Sequence, residues 1–379
     1  GWSGSSCDAC AAGFFGSNCI ACQGCGDYRV CENNVVGSGK CMCDKTFRSV
    51  FCDCSVDEFM IPCLSSRLKW KSFEKSSSIQ LGKSEFAQEL DLLGLGRPAI
   101  SANGLVIAAA SPNYAKKDNL SYRIGAVLIW ERKSTSEEFG ETREKGQVLW
   151  DPEGRDGEEL GRGGVALSAN GLIVAAAAPY TNKEPQYGGA ILVWERERID
   201  VAFQSSSSTK LYNPEGKADD CLGEGGVSFS ADGCILVGAA FEHANSVGAV
   251  LIWERNSTKV KFTPSVFVKL MALNGKEEKY LGSGGPIISA NGLVVAANRR
   301  ANEGTDKVVV WTRSKTIEAF SKAIYLNEPK GSAGDCMGCG GLSISANGLV
   351  LAAASVYDDG KTESSGSVLV WDIASTSSR

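Results

Sequence analysis

Few side chains among the 379 residues are of types that do acid-base, redox or metal chemistry, and their spacing decides which chemistry is open. His243, in Phe241-Glu242-His243-Ala244-Asn245, is the single imidazole, so a histidine triad or metal cluster would rest on that residue alone. No Gly-x-Ser-x-Gly elbow accompanies it, and the expectation is a solvated loop histidine. Carboxylates recur as adjacent pairs at Glu158/Glu159, Asp219/Asp220, Glu277/Glu278 and Asp358/Asp359. Such pairs form the acidic rim that a glycosidase or a cation uses, but solvated turns at equivalent repeat positions would produce the same recurrence, and the sequence favours the turns. Cys336-Met337-Gly338-Cys339 has redox spacing, while a structural disulfide is the expectation. The sequence thus leads to an expectation of no catalytic residues, no metal, no cofactor and no enzymatic activity.

The frame that must position these groups has two compositions. Eleven of the fifteen cysteines lie between Cys7 and Cys63, and the other four are Cys221, Cys234, Cys336 and Cys339. A small segment that dense in cysteine relies on cross-links that persist in oxidising compartments, so an extracellular or lumenal location is expected. Zinc on Cys7/Cys10 or Cys22/Cys25 is the weaker alternative, because no histidine is near. The net charge of −5 and the lack of Lys/Arg blocks argue against a nucleic-acid groove, and membrane insertion is not expected. The longest apolar runs, such as Gly171 to Pro179, are about half a bilayer crossing. The chain starts at Gly1 with no signal peptide, so it is expected to be a piece of a longer protein.

Beyond Cys63 the sequence repeats itself. Ser-Ala-Asn-Gly or Ser-Ala-Asp-Gly begins at Ser101, Ser168, Ser230, Ser289 and Ser345, at intervals of 67, 62, 59 and 56 residues. Each copy precedes an apolar run fading into small residues, then a variable polar loop, then a β-rich segment ending at Trp130, Trp194, Trp253, Trp311 or Trp371. The Asn-Gly and Asp-Gly steps predict tight hairpins, and each repeat reads as a four-stranded antiparallel meander. Repeats of this length with turn signals at short intervals predict a β-propeller, five blades, all-β. The five tryptophans predict packing between blades rather than a sugar platform. Because the last repeat stops after three strands, Ile79-Gln80-Leu81 is expected to complete it, with Leu68-Lys69-Trp70 as a further pairing segment or linker.

Two families are resembled. Cys22, Cys25, Cys31, Cys41, Cys43 and Cys52, with the Gly37 to Cys43 step, resemble EGF and laminin-type EGF modules. That resemblance implies pairing of Cys22 with Cys31, Cys25 with Cys41 and Cys43 with Cys52. The loops Cys10 to Cys19 and Cys54 to Cys63 resemble the fourth disulfide of laminin-type modules, and Cys7 resembles the end of a module lying upstream. The Leu-Gly-x-Gly-Gly motifs (Leu160 to Gly164, Leu222 to Gly226, Leu281 to Gly285), the small-residue strands and the Gly-Ala-Val-Leu-Ile-Trp strands resemble FG-GAP propellers such as integrin α-subunit heads. In that family a calcium loop would fall on the Ser-Ala-Asn-Gly hairpins, four of which here carry no carboxylate. The expected organisation is a disulfide-rich EGF-like region at 1–63, a linker and closing strand at 64–84, and the five-repeat propeller at 85–379. Cys221, Cys234, Cys336 and Cys339 are counted with the disulfide-forming set.

Variation concentrates in the loops between the second and third strands, which emerge on one face and carry Tyr114, Tyr122, Tyr180, Tyr187 and Tyr357, a residue type that gives contact area at low entropy cost. Asn119-Leu120-Ser121 and Asn256-Ser257-Thr258 are the acceptable N-glycan sequons, so Asn119 and Asn256 are expected to carry glycans. The resulting expectation is an extracellular structural or adhesion subunit. Its propeller is the contact head on an EGF-like stalk, and other protein subunits or neighbouring EGF-like modules are its partners. Combined EGF-like and FG-GAP-like repeats are also similar to flagellar-hair (mastigoneme) and surface proteins of algae and related protists. The alternative is a secreted propeller that binds or cleaves glycans.

Overall fold

In the computed structural model the described residues are 81, 91–115, 123–139, 146–181, 188–272, 278–301, 304–359 and 364–372, together with the backbone of six short N-terminal strands. The chain divides into two compact units, Gly1–Ile79 and Gln80–Arg379. In the first, three antiparallel ladders are described: β1 (Trp2–Ser3) with β2 (Ala9–Cys10), β3 (Phe14–Phe15) with β4 (Ile20–Ala21), and β5 (Arg29–Cys31) with β6 (Cys41–Cys43). Cysteine bonding across residues 7–63 lies outside the described residues, as do Asn119, Tyr122, Tyr187 and the Ile79-Gln80 step.

The second unit is a β-propeller of five antiparallel sheets with almost no helix. Blade 1 comprises β7 (Ala99–Ile100), β8 (Val106–Ser111), β9 (Ala126–Glu131) and β10 (Gln147–Leu149). Blade 2 comprises β11 (Val165–Leu167), β12 (Ile173–Ala178), β13 (Ala190–Glu195) and β14 (Thr209–Tyr212). Blade 3 comprises β15 (Leu222–Phe229), β16 (Ile235–Ala240), β17 (Ala249–Glu254) and β18 (Val268–Leu270). Blade 4 comprises β19 (Glu278–Lys279), β20 (Ile287–Ile288), β21 (Val294–Ala301), β22 (Lys307–Thr312) and β23 (Ile324–Asn327), β19 being a short extra pairing on β21. Blade 5 comprises β24 (Met337–Ile344), β25 (Val350–Ser355) and β26 (Ser367–Asp372), with three strands among the described residues.

The recurring tetrapeptide builds the first hairpin of each blade through its side chains. In blade 2, the Ser168 hydroxyl donates to Asn170 Oδ1 at 2.8 Å and accepts from the Ile173 N–H at 3.0 Å, while Asn170 Oδ1 also accepts from the Leu172 N–H. The same set recurs on Ser101, Ser230, Ser289 and Ser345. Of the Asn-Gly pair only the glycine takes a positive φ, +70° at Gly171, so these are Asx-type turns and not the primed turns expected from the dipeptide. Each hairpin also bonds its neighbour: Ala102 N–H to Ala169 O, Ala169 to Ala231, Ala231 to Ala290, and Asn291 N–H to Ala346 O.

The core lies between blades. One face of each blade's β-strands meets the tryptophan face of the next; Trp194 and Trp253 are fully buried there and Trp311 nearly so. An arginine two residues past the tryptophan, in Trp-Glu-Arg of blades 2 and 3 and Trp-Thr-Arg of blade 4, fastens the same layer. Arg196, Arg255 and Arg313 pair with Glu131, Glu195 and Glu254 of the preceding blade. Each of these arginines stacks on a phenylalanine seven residues onward, at 4.2–4.3 Å from the ring centre, and bonds the hairpin glycine carbonyl of its own blade. Among the described residues no helix is long and apolar enough to cross a membrane.

Candidate functional site

The residue just ahead of the Leu-Gly step in every blade has a left-handed backbone without being glycine: Leu92, Glu159, Cys221, Tyr280 and Cys336, with φ between +51° and +58°. A side chain there costs about 1–2 kcal/mol, which persists only where surrounding structure enforces it. The enforcement is visible. The carbonyls of these five residues accept from the N–H three positions on, at 2.9–3.1 Å, closing a turn over Leu93-Gly94, Leu160-Gly161, Leu222-Gly223, Leu281-Gly282 and Met337-Gly338. The third residue of each turn is a glycine with φ of +78° to +90°, as a type II turn requires. The second, Leu160, Leu222 or Leu281, is fully buried.

Each turn therefore displays two side chains three residues apart on a fixed backbone, and the two differ in every blade: Leu92/Leu95, Glu159/Arg162, Cys221/Glu224, Tyr280/Ser283 and Cys336/Cys339. The turns are locked to one another by the following glycines. A Cβ on Gly225 would lie 2.6 Å from Gly282 O, and Gly163 and Gly284 face Gly223 O and Gly338 O in the same way. Immediately after the turns the chain lines a central cavity of about 570 Å³, bounded by Arg97, Val165, Val227, Pro286, Gly341 and others. Among the described residues Arg97 is the one charged residue lining it, and its guanidinium donates to Gly284 O at 3.1 Å.

The two-residue displays interact. Glu159 and Arg162 form an ion pair at 2.6 Å, and Arg162 reaches Glu224 of the next blade at 3.4 Å. The Tyr180 hydroxyl donates to Glu224 at 2.8 Å, and Arg162 lies over the Tyr180 ring. Burial, together with Glu224, pushes the Tyr180 hydroxyl far above the usual phenol range. Cys336 and Cys339 are joined by a disulfide. Burial and then Glu224 push the Cys221 thiol up to about 12, which favours the protonated thiol near neutral pH.

Several expectations change here. Cys221 and Cys234 are free thiols and not disulfide-forming, because one precedes β15 and the other follows it, a strand length apart. His243 is not a solvated loop residue: it is 8% exposed, with Nδ1 at 2.7 Å from Asp220 Oδ2 and Asn213 Nδ2 at 3.4 Å. The paired carboxylates are not simply solvated turns either. Glu158 and Asp220 are buried and staple the Leu-Gly turns of blades 2 and 3 to the loop after the second strand, and Asp335, ahead of the blade 5 turn, is buried as well. Glu158 accepts from the Thr181 hydroxyl at 2.9 Å, and Asp335 offers its carbonyl to the Tyr357 N–H at 3.0 Å. In blade 5, Glu328, Asp335 and Asp358 converge at this position.

The three described tyrosines do not form one patch. Tyr114 packs beside Trp130 and Leu128, Tyr180 is tied across blades through Glu224, and Tyr357 is 56% exposed. Asn256 sits in an exposed loop beyond β17. Sequence reading passed over Arg162, Glu224 and Arg97. For Arg162 and Glu224 the signal was present as the variable third letter of Leu-Gly-x-Gly-Gly, and for Arg97 as the replacement of the last glycine of that motif in blade 1.

No protein-family model matches the chain, and no curated protein does, so the EGF-like and FG-GAP resemblances do not become memberships. Solved β-propeller structures are similar. TolB from Acinetobacter baumannii is 13% identical over 73% of this chain and 51% of its own, with a TM-score of 0.39. The propeller domain of the trilobed protease from Pyrococcus furiosus is 10% identical over 75% of this chain and 70% of its own, with a TM-score of 0.41. Prolyl oligopeptidase B from Galerina marginata is 10% identical over 74% of this chain and 32% of its own, with a TM-score of 0.43. At these identities the likeness concerns the fold alone. The expectation that the chain is not an enzyme is corrected by the same comparison. Prolyl endopeptidases are among the matched structures, so possession of this scaffold does not separate binding proteins from enzymes.

Proposed function

We propose that the chain is an extracellular protein-interaction module whose contact surface is the ring of Leu-Gly turns and neighbouring loops around the central cavity. The observation that carries this reading is the constant strained backbone under variable side chains: five left-handed residues at one repeat position are Leu, Glu, Cys, Tyr and Cys. A fold whose only requirement there was stability would place glycine at each. A rigid ring presenting different chemistry per blade suits recognition of a protein surface by several small contacts. The cysteine-dense first 63 residues and the Cys336–Cys339 disulfide support an oxidising location, with the first unit as a stalk. The favoured partners are other subunits carrying the same cysteine-rich region, in a filament, hair or adhesive layer.

Sedimentation equilibrium of the full chain tests this. Self-association should weaken at least tenfold in Arg162→Glu combined with Tyr357→Ser, with the melting temperature little changed. Association unaltered by that pair, or a chain that stays monomeric at all concentrations, would remove the reading.

A further inference from the structure

The residue three places past the tryptophan is Lys133, Glu197, Asn256 and Ser314 in blades 1 to 4, and at Asn256 alone it opens an acceptor triplet, Asn256-Ser257-Thr258. Asn256 and Thr258 are both exposed, in the bend and turn that follow β17, and the turn is closed by the Val260 N–H on the Ser257 carbonyl at 3.1 Å. The contact ring around the central cavity gives this motif no part.

Asn256 lines a cleft of about 650 Å³ between blades 3 and 4, and two departures from the repeat shape that cleft. The residue after the hairpin glycine is Leu105, Leu172, Leu293 and Leu349 in the other blades but Cys234 here, a shorter side chain on the cleft wall. Four places past the arginine that follows the tryptophan, blades 1 to 3 carry Ser136, Asp200 and Lys259, whereas blade 4 carries Ile317. Ile317 lines the cleft and is 88% exposed, the most exposed of the large apolar residues described, and Val268 beside the same cleft is 44% exposed. Val260 and Val266, in the loop that begins at Asn256, are exposed as well. Glu254 and Arg313, paired at 2.8 Å, line it too, and Arg313 Nη2 has no hydrogen-bond partner.

An apolar wall beside charged and hydroxyl groups suits a sugar ring, which turns its C–H face to the first and its hydroxyl and acetamido groups to the second. One sugar in an open cleft is held weakly, but a covalent tether at the rim removes most of the cost of association. We propose that Asn256 is an N-glycosylation site whose first N-acetylglucosamine lies in the cleft between blades 3 and 4, covering Ile317 and Val268 and shielding Cys234. In the transfer, Asn256 Nδ2 bonds to the anomeric carbon of an oligosaccharide diphosphate donor. The bond from that carbon to the diphosphate oxygen breaks, the diphosphate leaves with the electron pair, and the amide nitrogen gives up one proton. The site rests on the extracellular location proposed for the chain, because such donors act on chains that enter a secretory lumen.

The test compares the full chain with Thr258→Ala, which removes the triplet, both secreted behind an added signal peptide from eukaryotic cells that make only oligomannose glycans. Peptide mapping should find Asn256 glycosylated. Maleimide labelling, read peptide by peptide, should be slower by about fivefold or more at Cys234 in the glycosylated chain than in Thr258→Ala, and equal in the two at Cys221. Trimming the glycan to one sugar with an endoglycosidase should keep that protection, and Ile317→Ser should keep the glycan and lose it. An unmodified Asn256 would overturn the site. Equal labelling of Cys234 with and without the glycan, protection lost on trimming, or protection that survives Ile317→Ser would overturn the seat. The added signal peptide supplies the route, so each of these outcomes leaves the interaction reading standing, and that reading fails only in the sedimentation experiment.

Discussion

Glu158 shows how a side chain that reads as catalytic acts here as a fastener. It is buried, accepts from the Thr181 hydroxyl and ties the Leu-Gly turn to the loop beside it. Burial raises its carboxyl above the usual range, and the Thr181 hydrogen bond offsets only part of that rise. A carboxyl raised on folding contributes most below its unfolded pKa, and that contribution is lost as pH rises through the folded value. Glu158→Gln should therefore be more stable than the wild-type chain at neutral pH and indistinguishable from it near about pH 4. Urea unfolding at both values checks this; a difference that grows towards acid would contradict it.

At the level of elements, the glycines in and just ahead of the Leu-Gly-x-Gly-Gly turns have two distinct reasons to be glycine, and substitution separates them. Gly157 has a φ of +80° and open space around it, so Gly157→Ala should cost only the left-handed penalty of about 1–2 kcal/mol. Gly225 has an ordinary backbone, but its Cβ would meet Gly282 O at 2.6 Å, Gly285 N at 2.7 Å and Ser283 O at 2.8 Å. Gly225→Ala must push two blades apart and should cost more, about 3 kcal/mol or above, the range of strongly disruptive changes. Equal losses on chemical denaturation would show that the turns are not interlocked. The Trp-Glu-Arg strand ends act at the same scale. Arg196 is buried between Glu131 and the Phe203 ring, so the acid and its cation come from different blades and neither blade is satisfied alone.

Across the whole molecule, the ring is a chain of pairwise junctions, and one side chain joins two blades that do not follow one another in the sequence. Arg97 crosses the cavity from blade 1 to the Gly284 carbonyl of blade 4. Arg97→Ala should reduce stability by about 1–2 kcal/mol, as expected for a hydrogen bond from a charged donor. The accompanying sign of a junction effect is faster amide exchange at Gly340 and Gly341 with little change in blades 2 and 3, measurable by hydrogen-exchange mass spectrometry. Uniform acceleration over all five blades would indicate a general loss of stability and not a strut.

What the sequence determined by itself is what repeats. Ser-Ala-Asn-Gly five times, the fading apolar strands and the five tryptophans are local patterns whose geometry is set by hydrogen bonds within five residues and by alternation along a strand, and they were sufficient for the propeller and its blade count. What only the tertiary structure decided is how unlike residues from distant turns meet. His243 and Asp220 are 23 positions apart, and Arg162 and Glu224 are 62, with no spacing rule between them, because the pairing of β15 with β16 brings the first two together and the packing of adjacent blades at glycine the second. Cys221 and Cys234 count with the disulfide-forming cysteines by composition, but both are free thiols at opposite ends of β15. The left-handed residues before each Leu-Gly step were invisible for the same reason: neighbouring blades, and not the residue itself, hold that backbone in place.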